Sequence, residues 1–378
     1  MTAAPATWVE VDLAALERNF DEVTRLAGPR RVIGAIKANG YGFGAVDIAR
    51  ALERCGAYGL WTGNVEEAIA ARNAGVAGKI IMFGGYLPEH IDDLVHNDLI
   101  PTIYDRNGLA AAAQVAESRG RIVPVYIKVD SGLRRLGVPV AAAQEFARAV
   151  SDEPRIHLEG IYTHLPFADP TGRGWANDNY ALFHDLLNNL ARDGIHPDIT
   201  QVWGSSGLLA GLSDSTNAVC IGQLLYGLAP LPSNAASATN FTPIVTALKA
   251  RLIHVGQHHG GQAAISSPYV LGRAERTGVI ALGTADGMRS SAIGQPMYVL
   301  VRGRPAPIIG VTLEHTVVSL NAIHEAEPGD EVILIGQSDQ QSVSLADWAS
   351  WFDCSPLEVA VSLLGRVAKH YENAQLTL

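Results

Sequence analysis

The chain has 378 residues, 48% of them hydrophobic, and a formal net charge of -10 at pH 7. That length accommodates a large barrel plus a smaller domain, and the composition is that of a globular protein with a sizeable core. The acidic balance argues against nucleic acid or an anionic membrane as partner, and no apolar run approaches a membrane span.

Met1-Thr2-Ala3-Ala4-Pro5 has neither the basic start nor the apolar core of a signal sequence, so a cytoplasmic location is expected. Residues 8–13 alternate apolar and polar side chains as a half-buried strand does, and Asp12 can cap a helix over 14–27. Val32-Ile33-Gly34-Ala35-Ile36-Lys37 is a short apolar run ending in a lysine. Asn39, Gly40, Gly42 and Gly44 then break the strand, and a helical pattern covers 45–54. Further strand-like runs fall at 59–62, 79–82, 100–103, 123–128, 158–162 and 201–203, with an eighth near 218–222. Helical patterns separate them, for example 64–73, 106–117, 140–150 and 175–193. Such alternation predicts a parallel sheet, most simply a (β/α)8 barrel of the TIM type over 9–232. The texture changes at 228–239, a Pro/Ser/Ala-rich linker without periodicity. Short strands at 245–255, 264–266, 277–282, 297–301, 306–311, 316–319 and 331–335, then helices at 344–352 and 356–365, predict a smaller, mainly β domain over 240–378. Cys55, Cys220 and Cys354 are odd in number and far apart, so they read as reduced thiols rather than disulfides or a metal site.

Lys37 stands where a parallel strand meets its loop, the active face of an α/β barrel. A partly desolvated amine there can lose its proton and attack a carbonyl carbon. The plain alternative is a lysine whose stem covers apolar surface while its head stays wet. Lys128 lies inside the apolar run 123–129 and is expected to face the barrel interior, with Arg134 and Arg135 just beyond it. His164 ends another strand. Gly204-Ser205-Ser206-Gly207 and Gly222-Gln223 follow the seventh and eighth strands, where barrels commonly bind phosphate through backbone N–H groups. Two ordinary tight turns would look the same.

Lys37-Ala38-Asn39-Gly40-Tyr41-Gly42-Phe43-Gly44 resembles the pyridoxal-phosphate lysine motif of the alanine racemase family, with Gly40 and Phe43 where Ala and His are usual. The resemblance implies pyridoxal 5'-phosphate as cofactor, Lys37 as the Schiff-base lysine and Tyr41 as a phosphate ligand. The segment 125–137 is similar to the family motif in which a lysine, often carbamylated, orients an arginine. This implies that Lys128 orients Arg135 toward the cofactor's phenolic oxygen and the substrate carboxylate. By the same resemblance His164 stacks on the cofactor ring. Ser206, Gly222 and Gln223 contact phosphate, and Ser205 replaces a common Asn. Barrel followed by β domain is also that family's architecture. It implies that residues 1–8 pack with the C-terminal domain, and that a homodimer shares its active sites.

Three departures cluster at the reacting centre. Cys220 stands where the family has the arginine that faces the ring nitrogen, and it cannot supply a fixed charge. Leu282-Gly283-Thr284-Ala285-Asp286-Gly287 carries Thr284 where the family has the catalytic tyrosine, its second base, contributed across the dimer. A threonine alcohol lacks the phenol's accessible ionisation. The family's substrate-binding Met-Asp-Gln becomes Glu314-His315-Thr316. These changes lead us to expect one-base chemistry at Cα of a small amino acid, of the aldol type, with His164 as base toward a β-hydroxyl. The alternatives are a racemase with an unrecognised second base, such as His315 or a tyrosine folded into place, and a non-catalytic pyridoxal-phosphate carrier.

Overall fold

The computed structural model describes residues 5–84, 86–230, 240–262, 270–338 and 341–372; the side chains of 259–262 and 270–275 are not described. The chain divides into two compact units. One contains Ala15–Gly40 and Ala45–Thr242, and the other takes in the described residues of Met1–Ala14, Tyr41–Gly44 and Pro243–Leu378.

The strands are, in chain order, β1 Thr7–Asp12, β2 Arg31–Ala35, β3 Gly59–Thr62, β4 Lys79–Met82, β5 Leu99–Ile103, β6 Val123–Asp130, β7 Val138–Pro139, β8 Ile156–Tyr162, β9 Ile199–Gln201 and β10 Ala218–Ile221. Strands β2, β3, β4, β5, β6, β8, β9 and β10 pair in parallel, and β10 pairs back onto β2. The ring is therefore a closed (β/α)8 barrel, as the alternation predicts. Its interior is filled by Ile33, Trp61, Ile81, Ile100, Tyr126, Tyr162, Ile199 and Ala218, with Trp61 edge-on to Tyr162 at 4.5 Å. Gly160 has to be glycine, because a Cβ there would enter the Tyr126 ring. A second cluster, including Val125, Ile127, Phe146, Ile161, Phe183 and Trp203, packs strands against helices. Each such side chain contributes roughly 1.5–3 kcal/mol when fully buried.

Boundaries differ from expectation where local chemistry intervenes. The seventh barrel strand occupies Ile199–Gln201 rather than 201–203. Trp203 leaves the ladder, and its carbonyl accepts the Cys220 N–H at 3.2 Å and the Gln201 amide at 3.1 Å. The helix expected from 175 begins at Pro170, because Asp169 caps it and proline fits the first turn.

In the other unit the strands are β11 Val245–Gln262, β12 Val270–Ile280, β13 Tyr298–Val301, β14 Arg304–Val311, β15 Thr316–Ser319, β16 Glu331–Ser338, β17 Gln341–Val343 and β18 Ala368–Glu372. The unit is mainly β, with helices Leu345–Phe352 and Pro356–Leu364. β1 lies between β11 and β18 in the same sheet. The sequence patterns do not reveal β18, whose residues alternate between exposed and half-buried. Most of the expected linker (231–239) and the strand at 264–266 lie outside the described residues.

Candidate active site

Lys37 follows β2 and the buried Ile36. After it the backbone turns left-handed for four residues, with φ of 55° at Ala38, 53° at Asn39, 60° at Gly40 and 57° at Tyr41. That conformation costs a non-glycine residue roughly 1–2 kcal/mol, so the turn has to be held. The Gly40 N–H donates to the Ile36 carbonyl at 2.8 Å, and the Asn39 side chain accepts the Ala45 N–H at 3.0 Å. The Glu67 carboxylate accepts the Asn39 N–H at 2.6 Å. Tyr226, just past β10, donates its hydroxyl to the Ala35 carbonyl at 2.8 Å and so braces the end of β2.

Lys37 is an exposed residue, and its amine lies 5.7 Å from the Phe83 ring centroid. Desolvation pushes that amine below the ordinary lysine range, Cys220 pulls the other way, and the Arg135 guanidinium adds to the fall. Lys128 points inward from β6, as expected, and is 4% exposed, with its amine 5.5 Å over the Tyr162 ring. Burial first, and then Arg135, hold its amine down at about 8.

Arg135 sits in an exposed loop that one carboxylate organises. Asp130 accepts the N–H groups of Gly132 at 2.9 Å and Arg134 at 3.0 Å. Gly137 closes the loop at φ +128°, where a Cβ would lie 2.6 Å from the Asp130 nitrogen. A buried Ser131–Thr163 hydroxyl pair at 2.7 Å ties this loop to the end of β8, beside His164. Burial, with Lys37, Lys128 and Arg135 nearby, pushes His164 down to about 3. The imidazole is therefore held neutral at pH 7. Cys220 is pushed up to about 12, chiefly by burial, and stays a neutral thiol.

Ser205 and Ser206 open the short helix Ser205–Leu209. The Ser205 hydroxyl accepts the N–H groups of Gly222 at 3.3 Å and Leu224 at 3.4 Å, and that of Ser206 accepts the Phe167 N–H at 3.4 Å. Gln223 begins the 3-10 turn Gln223–Tyr226. The barrel thus brings Lys37, Lys128, Arg135, His164, Ser205, Ser206, Cys220, Gly222 and Gln223 to the C-terminal ends of its strands.

Tyr41, Thr284, Glu314, His315 and Thr316 belong to the other unit. Tyr41 is buried there. The turn at Thr284 packs on the turn at 312–315: the Thr284 and Ala285 N–H groups donate to Thr312 and Leu313 carbonyls at 2.9 and 2.8 Å. Thr284, Glu314 and His315 are exposed. Thr316 is fully buried and donates its hydroxyl to the Leu282 carbonyl at 2.7 Å. This bond inside the fold takes Thr316 out of the substrate-facing set. Sequence reasoning missed Glu67, Asp130 and Tyr226. Only Glu67 carries a signal, standing three residues after a helix-capping Asn64.

Lys128 supports a stability prediction. Its amine is held at about 8 in the fold, against 10.5 for an ordinary lysine, so the unfolded chain binds more protons between those limits. The resulting penalty is fully present below pH 8 and fades as pH rises toward 10.5. Lys128→Met should therefore stabilise the cofactor-free protein at pH 7 by up to about 3 kcal/mol. Urea unfolding of both proteins across this range should show that advantage shrinking above pH 8. A constant difference would refute the assignment.

Two family models match the chain: "Alanine racemase, N-terminal domain" over residues 11–230 and "Alanine racemase, C-terminal domain" over 245–371. A relative from Halothermothrix orenii, named alanine racemase, is 30% identical over 370 residues, covering 97% of each chain. One from Symbiobacterium thermophilum with the same name is 29% identical, again over 97% of each. Among solved structures, alanine racemase from Bacillus anthracis with bound L-Ala-P has a TM-score of 0.88 at 26% identity, covering 99% of this chain and 97% of that one.

Proposed function

The chain belongs to the alanine racemase family and is a pyridoxal-phosphate enzyme of that type, and from this premise we propose that it moves a proton at Cα of a small amino acid, with Lys37 as the base on one face. When bound, pyridoxal phosphate supplies the electron sink that lets the Cα–H bond ionise. The residues present fit such a group. An amine of lowered proton affinity suits its carbonyl carbon. The Gly222 and Leu224 N–H groups converge on the Ser205 hydroxyl oxygen at the end of β10, where a barrel commonly binds phosphate. Ser206, Gly222 and Gln223 would hold the phosphate.

The Arg135 guanidinium offers a planar fork for the substrate carboxylate, and the Asp130 turn holds its loop. Lys128 repels Arg135 while its amine is charged. Carbamylation of the neutral amine would turn that repulsion into attraction and fix the fork. His164, neutral and weakly basic, packs rather than titrates. The relatives' names give no support to the aldol-type chemistry expected from the sequence. The observation that carries the reading is the place of Lys37, an exposed lysine just past the C-terminal end of β2, near enough to Arg135 for the guanidinium to lower its amine further.

Its test is a product screen by NMR in deuterated water, using both alanine enantiomers, both serines and α-methyl amino acids. Deuterium should enter Cα of alanine or serine without release of aldehyde. Glycine and aldehyde formed from β-hydroxy substrates as the main products would defeat the reading.

A further inference from the structure

Helix Val65–Asn73 starts next to the end of β3, and the Asn64 side chain caps it by accepting the Glu67 N–H at 2.7 Å. A glutamate three residues after such a cap ordinarily bends back to the cap's own N–H, which completes a capping box. Here that N–H is already taken: the Asn64 N–H donates to the Thr62 hydroxyl oxygen at 3.3 Å. The Glu67 carboxylate is diverted outward. One oxygen accepts the Thr62 hydroxyl at 3.1 Å, and the other accepts the Asn39 N–H at 2.6 Å. Thr62 is fully buried at the end of β3, so the carboxylate is anchored at one side and reaches the lysine loop at the other.

Asn39 needs that acceptor. It lies inside the left-handed turn, where its N–H has no strand ladder or right-handed helix to enter, while its side chain is engaged with Ala45. The bond is charge-assisted and short, the kind that best holds a strained backbone.

We propose that Glu67 is a positioning residue for Lys37: by holding the Asn39 N–H it pins the left-handed turn, and so fixes the backbone from which the Lys37 amine projects. The inference rests on Lys37 being the cofactor lysine, as proposed above. It adds a residue on helix Val65–Asn73, whose carboxylate contacts Asn39 and Thr62.

Glu67→Met keeps the stem and removes both acceptors, whereas Glu67→Gln keeps an amide oxygen for the Asn39 N–H. In cofactor-free protein, amide hydrogen exchange at Asn39 should rise about tenfold or more in Glu67→Met and stay near wild type in Glu67→Gln. Titration with pyridoxal phosphate, followed by visible absorbance, should show binding weakened about tenfold to a hundredfold in the methionine variant, with most of the loss restored by glutamine. Thermal unfolding of both variants separates this from general destabilisation, which would raise exchange throughout the barrel. Unchanged exchange and binding in Glu67→Met overturns the proposal, as does a glutamine variant no better than the methionine one. Borohydride mapping of wild-type holoenzyme keeps the two readings apart. A label away from Lys37 sinks the cofactor assignment and the purpose given to Glu67, whereas a label on Lys37 with unchanged exchange sinks only the anchor.

Discussion

Lys37→Ala should abolish the visible absorbance of lysine-bound pyridoxal phosphate and slow α-proton exchange by about a hundredfold to ten-thousandfold, the range over which a positioned acid or base acts. Two lysines compete for this role, and pKa alone does not separate them, because both amines lie below the ordinary range. Access decides. Lys128 is 4% exposed inside the barrel, whereas Lys37 is an exposed residue at its mouth. An amine has to meet a carbonyl carbon of an incoming molecule, which the buried one cannot do without rearrangement. Borohydride reduction of the holoenzyme followed by peptide mapping gives the answer directly. A label on Lys128 would reverse the roles assigned to the two amines.

Much of the barrel was legible because parallel strands covered on both faces are short unbroken apolar runs. Runs such as 59–62 and 79–82 coincide with β3 and β4, and a lysine ending such a run marked the mouth of the barrel. What the chain hides is long-range. Nothing around Ala38, Asn39 and Tyr41 announces four left-handed residues, since two of the three non-glycine types rarely adopt that conformation. One of the turn's N–H groups is satisfied by Glu67, from helix Val65–Asn73, a contact that no local pattern shows. The protonation of His164 is equally hidden. As a residue type it titrates near neutrality, and only its burial among Lys37, Lys128 and Arg135 takes its basicity away. β18 escaped for a related reason: a strand of alternating half-exposed and exposed residues gains its place from pairing with β1 rather than from its own pattern.

With Lys37 as the single effective base, exchange and inversion at Cα should come apart. Deuterium should enter one alanine enantiomer quickly, while conversion to the other proceeds about a hundredfold to ten-thousandfold more slowly. The reason lies at Thr284, which by the resemblance of Gly283-Thr284-Ala285-Asp286-Gly287 to the family motif stands where a catalytic tyrosine is expected. Its hydroxyl donates to the Thr312 carbonyl at 3.2 Å, and an alcohol so engaged does not take a proton from carbon near pH 7. The residue is exposed in its own unit, so a tyrosine there projects outward without disturbing the β core. Thr284→Tyr should therefore fold normally and speed inversion of alanine by at least tenfold while leaving the fast exchange on the Lys37 face close to wild type. Cys220 limits the gain. A neutral thiol lacks the fixed charge by which the family's arginine tunes the ring, so the variant should remain slower than a racemase carrying both residues. Adding Cys220→Arg tests that step, although burying a guanidinium beside Lys37 and Lys128 carries its own electrostatic cost. The α-proton of each enantiomer, followed separately by NMR in deuterated water, reports exchange and inversion in one experiment. Rapid inversion in both directions by the wild-type protein would mean that another group serves the second face, and His315, exposed on the turn that packs against Thr284, is the residue to replace next.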